Sequence, residues 1–216
     1  EITWVTTAYL VAEVVVIPLT GWLARALSTR WLVAIAAAGF TLTSALCAFA
    51  WNLPSMVAFR AVQGLCGGVM IPTVFSVIYT LFPPRLQTPM TVLTGLVVTV
   101  APTAGPVLGG YLTEMYSWHA LFLINLVPGV VITACVLVFV RVDTPDWTLL
   151  KRIDFGGALG VVVFLGSLQY VLEEGVRKQW FESHEIVLFT TLAALGFVGM
   201  VARELTCAEP IVDLRA

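Results

Sequence analysis

The sequence predicts an all-α membrane protein of about seven transmembrane helices, and three observations carry that prediction. The 216 residues are 59% hydrophobic and only 11% charged, whereas charged residues make up about 25% of a soluble domain. The mean hydropathy is +0.97. Apolar runs of about 18 residues or more, each long enough to cross about 30 Å of hydrocarbon, recur along the whole chain. A soluble globular domain is excluded.

The runs fall at roughly 3–24, 32–51, 56–81, 89–113, 119–140, 154–173 and 185–204. Between them lie short stretches with turn or charge signals, at 25–30, 52–55, 82–88, 114–118, 141–152 and 173–184. No stretch is long enough for an inserted soluble domain. The chain lacks an initiator Met and enters a hydrophobic helix at once, without a signal-peptide pattern, so it is expected to be a fragment of a longer protein.

The first span carries Glu13 near the bilayer midplane, where an ionisable residue is costly and marks a functional site by default. Thr6, Tyr9, Glu13 and Thr20 share its helical face. Two readings stand for Glu13: a group that loads and releases a proton, or a carboxyl satisfied by a neighbouring helix or by water. The second span offers Thr41 and Ser44 as ordinary helix-to-helix polar contacts. The third carries Arg60 near one end, followed at i+4 steps by Gly64, Gly68 and Pro72, with Gln63 and Gly67 on the adjacent stripe. A cation beside a glycine groove can approach other backbones or a cavity closely; snorkelling to the interface is the simpler alternative.

The fourth span holds the stretch most hostile to a helix. Residues 101–110 contain Pro102 and Pro106 with Gly105, Gly109 and Gly110. In lipid such residues are tolerated where neighbouring helices or water take up the freed backbone groups. Ala101, Gly105 and Gly109 form an i, i+4, i+8 groove of small residues suited to close helix packing, and the prolines predict a bend. In the fifth span, Asn125 with Pro128 and Gly129 either lines a cavity or serves helix packing. Ser167 and Gln169 in the sixth, and His119 and His184 at span ends, read as packing or interfacial residues.

Basic residues set the orientation. Arg25, Arg30, Arg85, Arg141, Lys151, Arg152, Arg203 and Arg215 lie on one side, against Arg177 and Lys178 on the other. Eight against two places residue 1 outside and residue 216 in the cytoplasm. Trp4, Trp51, Trp118, Trp147 and Trp180 near span ends fit an interfacial aromatic belt. Cys47, Cys66, Cys135 and Cys207 show no metal or disulfide spacing and read as buried small residues. No nucleotide loop, metal cluster or nucleophile constellation supports an enzyme. The bilayer is the expected partner, with no cofactor, no metal and no nucleic acid. A seven-helix receptor fits the topology superficially, but a retinal protein would need a lysine in the last span, and 185–204 contains none.

Three motifs, in order, resemble those of the EmrB-type drug/proton antiporters, the fourteen-helix branch of the major facilitator superfamily. Gly21-Trp-Leu-Ala24 with residues 25–30 is similar to the cytoplasmic loop motif, with Gly21, Arg25 and Arg30 at its key positions. Arg60-Ala-Val-Gln-Gly64 resembles the motif whose arginine is associated with proton transfer. Gly95, Pro102, Gly105, Pro106, Gly109 and Gly110 resemble the antiporter motif. The chain departs from the loop motif at three places: Arg25 replaces the usual Asp, Ser28 the usual Gly and Thr29 the following Arg.

The resemblance implies a partial major facilitator fold, with the seven spans as helices 2–8 of 14. Residues 1–141 would be helices 2–6 of the N-terminal domain, 142–153 a cytoplasmic linker, 154–204 an extra central helix pair, and 205–216 the start of the connection to a C-terminal domain. It further implies efflux of hydrophobic compounds by proton antiport and alternating access, with Glu13, Arg60, Gln63, Tyr9 and Asn125 as proton-coupling or cavity candidates. A periplasmic adaptor and an outer-membrane channel would be the partners in the inner membrane of a Gram-negative cell. A metabolite or lipid exporter with different coupling is the alternative.

Overall fold

The structure is a computed structural model that describes residues 3–140, 143–149 and 154–206. It contains seven helical spans of 20 to 32 residues, apolar enough to cross a membrane. At 1.5 Å per residue, even 20 residues span about 30 Å. Every predicted span is present, within a few residues at most ends.

The first span, Thr3–Leu27, is not one continuous α-helix. Helix α1 (Thr3–Val16) passes into a 3-10 turn, Ile17–Leu19, and then α2 (Thr20–Leu27). Pro18 lies in that turn and removes a backbone donor where the winding changes. Helices α3 (Thr29–Ala48), α4 (Leu53–Leu81) and α5 (Pro84–Met115) are single spans. The fifth span consists of a short α6 (Ala120–Leu123) and α7 (Leu126–Phe139), broken at Ile124 and Asn125 ahead of Pro128. Helices α8 (Phe155–Glu174) and α9 (His184–Thr206) form a hairpin.

Helix α4 packs between α1 and α3, α7 covers the far side of α3, α8 lies on α1, and α9 lies on α8. Glycines permit the closest approaches. A Cβ added at Gly68 would fall 2.5 Å from the Glu13 carbonyl oxygen, and one at Gly64 would strike the Tyr9 carbonyl. Between α8 and α9 the same role falls to Gly196, where a Cβ would meet the Phe164 nitrogen at 2.6 Å. Backbone contact of this kind is what membrane helices use in place of a hydrophobic driving force.

Helix α5 is different. It runs through Pro89, Pro102 and Pro106 as one helix and buries no residue. Thr99 and Thr103 donate their hydroxyls back to the Gly95 and Thr99 carbonyls at 2.9 and 3.1 Å. A Cβ at Gly95, Gly105 or Gly110 would meet nothing within 4 Å, and one at Gly109 would meet only Leu121 Cδ2 at 3.7 Å. Within the described residues the antiporter-like groove is an open face.

The connections are tighter than hydropathy suggests. Asn52 caps α4 by accepting from the Ser55 N–H at 2.7 Å, while the Asn52 N–H donates to Ser55 Oγ at 3.3 Å. Helix α4 therefore starts three residues before the predicted span. Residues 25–30, read as a loop, are a correction. Gly21 and Arg25 belong to α2, Arg30 to α3, and Ser28 alone lies outside both helices.

Ser28 is buried, with φ 70° and ψ 150°. Positive φ suits glycine, which gives a physical reason for the glycine that Ser28 replaces in the family motif. Ser28→Gly is expected to raise stability by up to about 1 kcal/mol, less the weak 3.4 Å contact from the Trp31 N–H. Thermal unfolding in detergent would measure it, and a lowered midpoint would contradict strain at Ser28.

Asp143, in the predicted linker, caps α3. Its carboxylate accepts from the Thr29 N–H at 2.9 and 3.0 Å and from the Thr29 hydroxyl at 2.9 Å. The expectations for Arg141, Lys151, Arg152, Cys207 and residues 208–216, including Arg215, lie outside the described residues. Of the other cysteines, Cys47 is buried and Cys66 half-buried, but Cys135 is exposed on α7, which corrects its reading as a buried residue.

Candidate polar site between helices α1, α3 and α4

Arg60 lies on α4 two turns from its start, at the height where α1 begins. Its Nε–H donates to the Val5 carbonyl at 3.3 Å, and Nη1 donates to Gln63 Oε1 at 2.7 Å. Gln63 Nε2 in turn donates to Ser44 Oγ on α3 at 2.5 Å. The guanidinium also lies over the Tyr9 ring, 4.2 Å from its centroid, with the Phe122 ring at 5.9 Å. One side chain thus joins α1 and α4, and through Gln63 reaches α3.

The chemistry of this arrangement is unusual in one respect. Among the described residues Arg60 has no carboxylate within ion-pair distance. Its charge is met by a backbone carbonyl, a side-chain amide dipole and an aromatic face, and a desolvated cation–π contact is worth up to about 2 kcal/mol. Two of its five N–H donors are used by these hydrogen bonds. Gln63 and Ser44 are 1% and 0% exposed, so the relay beneath Arg60 is dry. An Arg that snorkelled to the interface would have no such contacts.

Glu13 stands one turn below Tyr9 on α1 and is half-buried. Its carboxyl has no hydrogen-bond partner among the described residues, and it interacts electrostatically with both Arg60 and Tyr9. The Tyr9 hydroxyl lies over Gly67, where an added Cβ would come within 2.8 Å of it. Tyr9, Glu13, Arg60 and Gln63 are therefore brought together by the α1–α4 contact. Of the face predicted for α1, Thr6 is exposed, and Thr20 lies past the 3-10 turn, donating to the Val16 carbonyl at 3.1 Å.

Asn125 lies apart from this group. It marks the break before α7, and its Nδ2 reaches the Leu121 carbonyl of its own span at 3.5 Å. The nearby Gly129 instead packs against the Thr41 side chain. The loop-motif residues lie elsewhere too. Gly21 and Arg25 are exposed on α2. Arg25 offers its carbonyl to the Asp146 N–H at 3.3 Å, and Arg30 donates to the Leu137 carbonyl of α7.

Ser44 was read only as an ordinary helix-to-helix contact, and the Val5 carbonyl, Thr7 and Glu174 were not singled out from sequence. Ser44 looks like any serine in a membrane helix, and a backbone carbonyl leaves no mark in sequence. Glu174 with Arg177 at i+3 reads as a solvated pair, yet Glu174 is fully buried.

Seven helices long and apolar enough to cross a membrane, joined by glycine-mediated contacts, describe a multi-pass membrane protein. The chain belongs to the Major Facilitator Superfamily, whose family model matches residues 1–206. It is 40% identical over 215 residues to the colistin resistance protein EmrB of Acinetobacter baumannii, covering 99% of this chain and 42% of that protein. It is 36% identical over 212 residues to the multidrug export protein EmrB of Escherichia coli, covering 98% of this chain and 41% of the relative. The fatty acid resistance protein FarB of Neisseria gonorrhoeae is also 36% identical over 212 residues, with 98% and 42% covered. The chain spans about two fifths of the length of these relatives.

Proposed function

We propose that this chain is part of a multidrug efflux transporter that exports hydrophobic or amphipathic compounds in exchange for protons by alternating access. The observation that carries the reading is Arg60, held between α1 and α4 by neutral partners with Glu13 in its electrostatic field. A cation so held favours a nearby carboxylate, and proton uptake by that carboxylate changes the balance between two helix packings. Similarity to proteins named for multidrug export, colistin resistance and fatty acid resistance supports the substrate class. In proteoliposomes of the full-length protein, efflux should collapse when the proton gradient is dissipated; efflux that survives an uncoupler rejects the proposal.

In this reading Glu13 is a proton carrier and Arg60 and Tyr9 set its affinity. Glu13→Gln, which keeps size and polarity but cannot ionise, should abolish the dependence of export on the proton gradient while leaving substrate binding within a few-fold. Scintillation proximity binding alongside efflux separates the two effects. Coupling that persists in Glu13→Gln removes Glu13 from the role.

The same reading assigns 1–141 to helices 2–6 of an N-terminal domain, 142–153 to a cytoplasmic linker, 154–204 to an extra central pair and 205–216 to the connection that follows. It places the protein in the inner membrane, residue 1 outward, with a periplasmic adaptor and an outer-membrane channel as partners. The likeness to FarB favours a second substrate class within the same mechanism, single-chain amphiphiles. Competition of a fatty acid with a cationic dye for export would distinguish one site from two.

A further inference from the structure

Helix α1 has two working faces, and only one meets the Arg60 site. Val5, Tyr9 and Ala12 face α4, through the Arg60 contacts and the close approach at Gly64. Trp4, Thr7, Val11 and Val15 face α8. Trp4 stacks on Tyr170 with centroids 5.6 Å apart, and a Cβ added at Gly166 would touch Val15 and Val11 at 3.6 and 3.7 Å. Between them Thr7 Oγ1 donates to Glu174 Oε1 at 3.4 Å.

Glu174 is the last residue of α8 and is 0% exposed, as is Thr7. Its other oxygen accepts from Arg177 Nε at 2.7 Å and pairs with the Arg177 guanidinium. Arg177 is half-exposed, so this local i,i+3 pair could form equally well in water. Burying the carboxylate beneath α1 adds a desolvation cost that needs a compensating partner, and α1 supplies it in Thr7. The Thr7 hydroxyl has one proton and two acceptors, Glu174 and the Thr3 carbonyl at 3.1 Å, so the two compete for it. At the same end, where Glu173, Glu182 and His184 also lie, Lys178 and Glu185 pair with each other and with the Tyr170 hydroxyl, fixing the α8–α9 side of the contact.

We propose that Glu174 is a positioning residue for the Arg60 site, clasping the α8–α9 hairpin to α1 at Thr7 and so holding Val5 and Tyr9 against Arg60. Thr7 lies midway between those two residues, and a rigid helix carries any displacement at Thr7 to both. The hairpin is then a working wall of the bundle. This inference rests on the transport reading above for its functional consequence, and on the geometry alone for its structural one.

The test uses the full-length protein in proteoliposomes with Glu174→Gln, Thr7→Val and Thr7→Ser. Glu174→Gln and Thr7→Val are expected to lower proton-driven efflux about tenfold, within the range for residues acting through a packed element, and to shift its pH profile. Thr7→Ser, which keeps the hydroxyl, should retain both rate and profile. Hydrogen exchange of the α1 amides gives a readout independent of activity. It should quicken over residues 5–13 in Thr7→Val while α3 and α7 stay protected. Unchanged exchange and an unchanged pH profile overturn the proposal. If wild-type efflux proves independent of the proton gradient, the transport reading fails and the exchange result alone decides the clasp.

Discussion

Gln63→Leu in the full-length transporter is expected to abolish coupled export and to lower stability by about 3 kcal/mol, the cost of taking the amide partner from the buried Ser44 hydroxyl and from one N–H of the half-buried Arg60. Leu nearly matches the volume of Gln, so little of the loss would come from a cavity. What disappears is the acceptor for Arg60 Nη1 at 2.7 Å and the donor to Ser44 Oγ at 2.5 Å. The dryness of the site makes both losses severe, since no water replaces an amide whose own residue is 1% exposed. Gln63→Glu is the informative companion. It keeps an acceptor for Arg60 but turns a neutral contact into an ion pair, so the protein should fold and insert while export fails, the guanidinium being locked to a fixed carboxylate. Arg60→Lys should resemble Gln63→Leu, because a point-charge ammonium cannot serve Val5, Gln63 and the Tyr9 face together. Detergent melting curves and efflux, measured side by side, check all three. Full export in Gln63→Leu would show that the relay from Arg60 to Ser44 has no part in transport.

How far the sequence led can be judged from these residues. The seven spans were legible because lipid imposes a length and a composition on every crossing segment, and neither depends on which helices are neighbours. Arg60, Gln63 and Tyr9 were legible because polar groups are rare in such segments. Their partners were not, since the Val5 carbonyl lies 55 residues from Arg60 and Thr7 lies 167 residues from Glu174. Only packing creates those pairs. Asn125 was left open for a related reason: a polar residue in mid-span looks the same whether it faces a site or its own preceding turn. The loop motif misled because a single residue with positive φ, Ser28, suffices to separate two helices that hydropathy reads as ending earlier and starting later.

The glycines of α4 and α5 carry the same small-residue spacing, yet opposite outcomes are expected when they are filled. Gly64→Ala should reduce the amount of folded protein severalfold, because its Cβ would strike the Tyr9 carbonyl and lie 3.1 Å from Ala12 Cβ. Backbone cannot rotate away as a flexible side chain can, so α1 itself must move. Overpacking a close contact costs about 1–3 kcal/mol even where side chains adjust. The same displacement would draw the Val5 carbonyl and the Tyr9 ring off Arg60, so any protein that does assemble should export poorly. At Gly105 an added Cβ meets nothing within 4 Å. The bundle described here should therefore tolerate Gly105→Leu, with insertion and melting unchanged. Export should nevertheless be lost if the open face of α5 packs against a helix supplied by the rest of the transporter, since a leucine there would hold the two apart. Size-exclusion profiles and melting curves, followed by efflux in the same vesicles, separate the two behaviours. Normal melting in Gly64→Ala would deny the backbone contact between α1 and α4, and normal export in Gly105→Leu would deny that α5 closes against anything at all.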